Sequence, residues 1–142
     1  LFVILLFLQV TLGAFTSGLD AGQIYQTWPS MNNKFFPDDF ELHDILSKEV
    51  FYEPSLIQFL HRNMAYILLI YVFGISANVL LNKKKYLYKS LLFVLIMIFI
   101  QILLGIFTLI SGVNIFLASL HQLSTGILLI SSIFFSYNSS KK

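Results

Sequence analysis

From Ser90 to Ser140 the chain contains no Asp, Glu, Lys or Arg. A helix crossing a bilayer needs roughly 20 consecutive apolar residues. The stretch is more than twice that long, so it cannot be one crossing and must fold back on itself. Gly112-Val113-Asn114 is the natural turn, since Gly and Asn tolerate the backbone angles a reversal needs. Two further runs have the same character: Leu1 to Leu19, which carries no charge and ends at Asp20, and Ser55 to Leu81, whose strongly polar positions are His61 and Arg62. Lipid offers no hydrogen-bond partners, so each backbone amide must be satisfied within its own segment. The expected fold is an all-α membrane protein, a four-helix bundle with spans near 1–19, 55–81, 86–111 and 115–137 and one long outer loop, 20–54.

Composition supports lipid as the solvent. The chain is 57% hydrophobic and 11% charged, whereas soluble domains carry about 25% charged residues. A net charge of +2 is too small to suggest nucleic acid as a partner. Cysteine is absent, which excludes disulfides and thiolate metal sites. The chain starts at Leu1, inside an apolar run, with no basic segment before it and no small-residue cleavage site. That argues against a signal peptide and for a piece of a longer protein.

Charge also sets an expected orientation. Lys83, Lys84, Lys85 and Lys89 lie between spans two and three, and Lys141 and Lys142 follow span four. Both segments fall on one side, which the positive-inside rule makes cytoplasmic. All seven acidic residues lie between Asp20 and Glu53, in the loop on the opposite side. Within that loop, Pro37 and the acidic residues after it read as the start of a short surface helix with a capping box. Phe40, Ile45, Leu46 and Val50 would form its apolar face, while Tyr25, Trp28, Phe51 and Tyr52 suit the headgroup layer. A plain solvated loop is the alternative.

The sequence also repeats itself. Gln9, Leu12, Gly13, Phe15 and Thr16 recur at the same spacing as Gln101, Leu104, Gly105, Phe107 and Thr108. Leu60-His61, followed after five intervening residues by Ile67-Leu-Leu-Ile70, recurs as Leu120-His121 followed at the same spacing by Ile127-Leu-Leu-Ile130. Spans one and two thus resemble spans three and four. The two hairpins run the same way and are related by a pseudo-two-fold axis along the membrane normal. His61 and His121 each lie six residues into their spans, ~9 Å deep in the outer leaflet. Two imidazoles at one depth about a two-fold can meet at one point, which is what the iron of a six-coordinate haem requires. The competing reading is interhelical hydrogen bonding to Gln9, Gln101 or serines. Zinc is a poor fit, because two histidines leave it under-coordinated.

Around that pair, Gly13 and Gly105 would allow close approach of a helix or a porphyrin. Thr16 and Thr108 are either donors to the site or bonded to their own helix backbone. Arg62 suits a haem propionate, or snorkels to a headgroup phosphate. Gln58, one turn before His61, could face the same pocket. His43 reads as a solvated loop residue.

Several segments resemble the haem A synthase family. Leu8-Gln9-Val-Thr-Leu-Gly-Ala-Phe15, followed by Gly18-Leu-Asp-Ala-Gly22-Gln-Ile-Tyr25-Gln-Thr-Trp-Pro29-Ser-Met31, is similar to the opening of that family's second half. Gln58-Phe-Leu-His61-Arg62-Asn-Met-Ala65-Tyr66, Leu104-Gly105-Ile-Phe-Thr108-Leu and Leu117-Ala-Ser-Leu-His121-Gln122 resemble its two later histidine motifs. The cysteine-free loop is like that of the alphaproteobacterial and mitochondrial branch.

The resemblance implies half of an eight-span protein of the bacterial inner membrane. The family oxidises the C8 methyl group of haem O to a formyl group, making haem A for cytochrome oxidase. It implies haem O as the substrate of an N-terminal half, and a haem b cofactor here, held by His61 and His121. Haem O synthase, a redox partner and a second copy of the chain are the expected partners. Where the substrate half carries a glutamate three residues before a histidine, this chain has Gln58, which cannot act as a carboxylate base. The half is therefore expected to be inactive alone. Asn114 stands where many relatives carry proline. The alternatives are a stand-alone membrane cytochrome and a haem-free transporter half built on a parallel repeat.

Overall fold

The computed structural model describes residues 1–38 and 47–141. Among them are four α-helices: α1 (Phe2–Gly18), α2 (Pro54–Leu81), α3 (Tyr88–Ile110) and α4 (Ile115–Ser140). The other helical elements are short 3-10 turns at Ala21–Gln23, Lys48–Phe51 and Lys85–Leu87. Three of the helices, α2, α3 (with the turn before it) and α4, are long and apolar enough to cross a membrane, and α1 is a shorter apolar helix. At 1.5 Å per residue, the 17 residues of α1 extend ~25 Å, the lower limit of a hydrocarbon core. The chain is a helical, multi-pass membrane protein. Each expected span falls within a few residues of an observed helix.

The ends of the helices follow from local chemistry. Pro54 opens α2 at a position where the missing N–H costs nothing. Helix α2 stops in a left-handed residue, Lys83, while the amides of Lys83 and Lys84 return to the carbonyls of Leu80 and Val79. Helix α3 stops the same way: Gly112 and Val113 donate to Leu109 and Thr108. The reversal is where the sequence put it, but its chemistry differs. The positive φ angles fall on Gly112 (71°) and Val113 (61°), not on Asn114. Asn114 instead caps α4, its side-chain oxygen accepting from the amides of Phe116 and Leu117. Its role is to end the turn rather than to bend it.

Around the bundle each helix touches the next in chain order, and α1 closes the ring against α4. Helices α2 and α4, which carry the two histidines, therefore face each other across the diagonal. Two apolar cores hold the structure. The larger, at the lysine-rich end, joins Phe2 and Leu6 of α1, Leu68, Val72 and Val79 of α2, Leu91, Val94 and Met97 of α3, and Leu128 and Phe135 of α4. The smaller packs the outer loop onto the start of α2, through Tyr25, Met31, Val50, Leu56 and Phe59.

Between them lies a layer with a different character. No residue is fully buried from Phe7 to Gly18 on α1, Leu60 to Ile67 on α2, Ile102 to Ile110 on α3, or Ile115 to Ile127 on α4. Protein side chains alone do not make a core at that depth.

The outer segment is ordered around α2. Met31 and Lys34 exchange backbone hydrogen bonds in a tight turn, and Phe35 and Phe36 pack on Phe59 with ring centroids 5.8 and 5.3 Å apart. The segment also reaches across the bundle: Val113 fills the space beside Gly22, and Gln26 lies against Gly112. Tyr25 is buried and its hydroxyl accepts from the Asp38 amide, while Trp28, Phe51 and Tyr52 are exposed. The expected surface helix, with Phe40, Ile45 and Leu46, and the residue His43 lie outside the described residues; Val50 belongs to the turn Lys48–Phe51.

Candidate functional site

The coreless layer holds both repeat-related histidines. Each imidazole is seated on the glycine of the helix before it. A Cβ on Gly13 would stand 3.1 Å from Cε1 of His61, and one on Gly105 would stand 3.2 Å from Cε1 of His121. The same ring edge faces the same repeat position in both hairpins, which is the three-dimensional counterpart of the sequence repeat.

The repeat-related glutamines lie one turn before those glycines and span the same helix pairs. Gln9 Nε2 is 3.2 Å from Nδ1 and 3.4 Å from Nε2 of His61, and donates to the His61 carbonyl at 3.2 Å. Gln101 Nε2 donates to the His121 carbonyl at 3.1 Å and to the hydroxyls of Ser124 and Thr125 at 2.9 and 3.1 Å. Interhelical bonds of this kind average about 0.6 kcal/mol in a membrane. The hydrogen bonding that competed with ligation in the sequence is therefore present. It occupies backbone carbonyls and one ring, and leaves Nδ1 of His121 buried without a partner.

The threonines of the repeat diverge. Thr16 bonds back to Leu12 of its own helix, as short hydroxyl side chains do. The Thr108 hydroxyl is buried and has no partner.

Arg62 and Gln58 turn toward the outer segment. Arg62 donates to the carbonyls of Tyr25 (2.8 Å) and Ser30 (3.3 Å), and Gln58 donates to the same Tyr25 carbonyl at 2.9 Å. Gln58 thus fixes the loop rather than facing the histidines. Arg62 is anchored by two loop carbonyls, while its Nε remains buried and unpartnered. Sequence reasoning did not anticipate Tyr25 and Ser30 as partners. They act through backbone oxygens, which no residue type announces.

Among the described residues no cluster of three or more His, Asp or Glu gathers. What the layer offers is two nitrogen donors on diagonal helices, with glycine-lined walls and apolar surroundings. Imidazole nitrogens are common metal ligands.

Comparison with known proteins shows the family of the chain. Residues 1–133 match the COX15-CtaA model, described as cytochrome oxidase assembly protein. The chain is 52% identical over 130 residues to the heme A synthase of Pelagibacter ubique, which covers 92% of this chain and 38% of that protein. It is 38% identical over 124 residues to the heme A synthase of Bartonella henselae (84% and 34%). With the heme A synthase of Rickettsia africae it shares 35% over 127 residues (89% and 37%). The chain thus spans a little over a third of the length of these relatives, and the alphaproteobacterial branch fits. No solved structure matches it. A family match across nearly the whole chain, on a helical bundle whose repeated glycines and histidines pair in space, makes this chain a member of the COX15-CtaA family of cytochrome oxidase assembly proteins.

Proposed function

We propose that the chain is the haem b-binding half of a haem A synthase, with His61 and His121 as the axial ligands of the iron. The observation that carries this reading is the layer without a protein core. It contains both histidines, each with its ring edge against a glycine and each on one of two diagonal helices. The residues fit a haem. Glycines leave room where any side chain would displace the ring, and Nδ1 of His121 is buried without a partner. A bound haem b would carry single electrons through its iron.

The chain's own residues would do the rest. The two histidines would hold the haem, and the apolar core toward the lysine-rich end would exclude water from that side. Arg62 and Gln58 hold the outer segment over the opposite end. A propionate would be met by the Arg62 Nε–H, which the loop carbonyls leave without a partner.

In the whole protein, the proposed reaction oxidises the C8 methyl group of haem O to a formyl group. Taking a methyl carbon to the aldehyde level with water as the oxygen donor releases four electrons and four protons; the electrons must pass to the proposed redox protein, and a haem held by this half would serve as a one-electron relay. The relatives' printed name supports the activity. Haem O, in an N-terminal half, is the proposed substrate. Haem O synthase and a redox protein are proposed partners, and the bacterial inner membrane is the proposed location. The lysine-rich turns Lys83–Lys89 and Lys141 support a cytoplasmic position for their end of the bundle, with the 20–54 segment outside.

The test is haem A production by the complete protein in cells supplied with haem O. His61→Ala and His121→Ala should each lower extracted haem A by more than about tenfold. Undiminished haem A from both variants contradicts the proposal.

A further inference from the structure

The outer segment touches both hairpins, but each holds it in a different way. On the α2 side the contacts are polar and deep. Arg62 donates to the carbonyls of Tyr25 and Ser30, Gln58 donates to the Tyr25 carbonyl, and Ala21 and Tyr25 are buried. On the α3–α4 side the segment meets the turn by packing. A Cβ on Gly22 would stand 3.0 Å from Cγ2 of Val113, and one on Gly112 would stand 3.6 Å from Oε1 of Gln26. Hydrogen bonds from a charged group hold more firmly than dispersion between a few atom pairs. The segment is therefore hinged on α2 and leans on the turn. Gly22 serves this contact through space alone, since among the described residues the glycine with a left-handed angle is Gly112.

We propose that residues 20–31 gate the coreless layer: the Gly22–Val113 contact releases to admit haem b, the bonds to α2 keep the segment in place, and the contact re-forms over the seated haem. The inference rests on the haem b reading above. The segment leaves α1, is bonded to α2 and touches the turn between α3 and α4, so it spans the outer mouth of the layer. A porphyrin is a rigid plate, too wide to slip between packed helices whose axes stand about 8–10 Å apart. From the outer face its way is barred by the segment. From lipid it enters only if the hairpins part, which the same contact resists. Both surfaces of the contact are formed locally. Val113 is set at φ 61° by the end of α3, where its amide bonds Thr108, and Gly22 sits in its own 3-10 turn, Ala21–Gln23. Release therefore unfolds neither side.

The experiment is the transfer of ferric haem b from the complete protein, purified in detergent, to excess apomyoglobin, followed by visible absorbance. Gly22→Cys combined with Val113→Cys makes a lock. A Cβ at residue 22 lies 3.0 Å from Cγ2 of Val113, which puts the two Cβ atoms within the ~4.5 Å that a disulfide spans. This chain has no cysteine of its own, and each single-cysteine variant is a control. The oxidised pair should release haem at least about tenfold more slowly than the same pair reduced with a phosphine, as for a closed lid. Gly22→Ala should act the other way. Its Cβ pushes against Val113, and release should rise at least about tenfold with the low-spin spectrum unchanged. Adding Val113→Ala removes the opposing methyl groups, and the double variant should return toward the wild-type rate.

An oxidised pair that releases haem as fast as the reduced pair overturns the inference, and so does a pair that never cross-links, because the contact is then absent. A Gly22→Ala rate equal to wild type, or a double variant as fast as Gly22→Ala, overturns it as well. If Gly22→Ala is isolated without haem, the double variant decides: haem regained supports the inference, and haem still missing overturns it. A wild-type protein lacking a low-spin haem b removes the underlying reading, and this inference with it. A wild-type protein with normal haem b and a release rate indifferent to the lock overturns this inference alone.

Discussion

Gly105 and His121 fit together so closely that a Cβ on the glycine would stand 3.2 Å from Cε1 of the imidazole, with both ring nitrogens at 3.7 Å. The contact is tighter than nine in ten real Cβ contacts, and Gly13 and His61 reproduce it at 3.1 Å. In a membrane bundle, small residues usually serve to bring backbones together. Here they serve a side chain, setting where the imidazole stands.

Replacing either glycine by alanine should therefore displace the ring. Gly105→Ala forces His121 to move by a few tenths of an ångström. Overpacking of this kind costs about 1–3 kcal/mol. The expected result is roughly a tenfold loss of haem affinity, read as the Soret absorbance per protein during haem titration. Gly74→Ala, where a Cβ meets nothing within 4 Å, is the matched control and should leave the ratio unchanged.

Arg62 should matter most to the outer segment. Its guanidinium joins α2 to the carbonyls of Tyr25 and Ser30, and hydrogen bonds from charged groups contribute about 1.5–3 kcal/mol each. Arg62→Ala should loosen residues 20–38, so that trypsin cuts at Lys34 at least tenfold faster in detergent micelles. Arg62→Lys should restore little, because one ammonium cannot reach two carbonyls in the fixed fork of a guanidinium. Cleavage at an unchanged rate in Arg62→Ala contradicts the anchoring role.

The Lys34–Asp38 pair gives a pH prediction of a limited kind. The two side chains meet at 2.8 Å while both remain largely exposed. The hydrogen bond to Lys34, then its charge, holds the Asp38 carboxyl below its usual value; the same bond from the other side raises Lys34. A lowered carboxylate stabilises the fold above its unfolded pKa and loses that contribution as pH falls through the folded value. A raised lysine stabilises below its unfolded pKa and loses that contribution as pH climbs through the folded value. Trypsin resistance of the loop, corrected for the enzyme's own pH profile, should stay flat between about pH 5 and pH 9. Asp38→Asn should change it little, since solvent screens an exposed ion pair.

The α3–α4 turn supplies a stability test. Gly112 sits at φ 71°, a conformation that costs a residue with a Cβ about 1–2 kcal/mol. Gly112→Ala should lower the thermal midpoint of the detergent-solubilised protein, and a conformationally permissive Gly112→Asn should lower it less. Equal midpoints for wild type and Gly112→Ala contradict the strain argument.

What could be read from the residues alone was whatever repeats or runs locally. The spans followed from the charge-free runs, and the reversal at Gly112 followed from its length. The repeat of the glycines and histidines followed from register between the two hairpins, whereas the seating of each imidazole on a glycine did not, since the glycines were read as room for a helix or a porphyrin. The details that escaped were long-range or backbone-mediated. Arg62 found loop carbonyls over thirty residues away, and Gln58 found the same carbonyl. Val113 took a left-handed angle because the α3 carbonyls recruit its amide, a requirement that overrides a β-branched side chain's preference. Thr16 and Thr108 occupy equivalent sequence positions yet differ in bonding, which a pattern of residue types cannot express.

The most direct measurement is the reduced-minus-oxidised visible spectrum of the purified complete protein, compared across wild type, His61→Ala and His121→Ala. The account predicts the sharp band of a low-spin, six-coordinate haem b in the wild type, and its loss or conversion to a high-spin form in each variant. An unaltered low-spin haem b spectrum in both variants would contradict it.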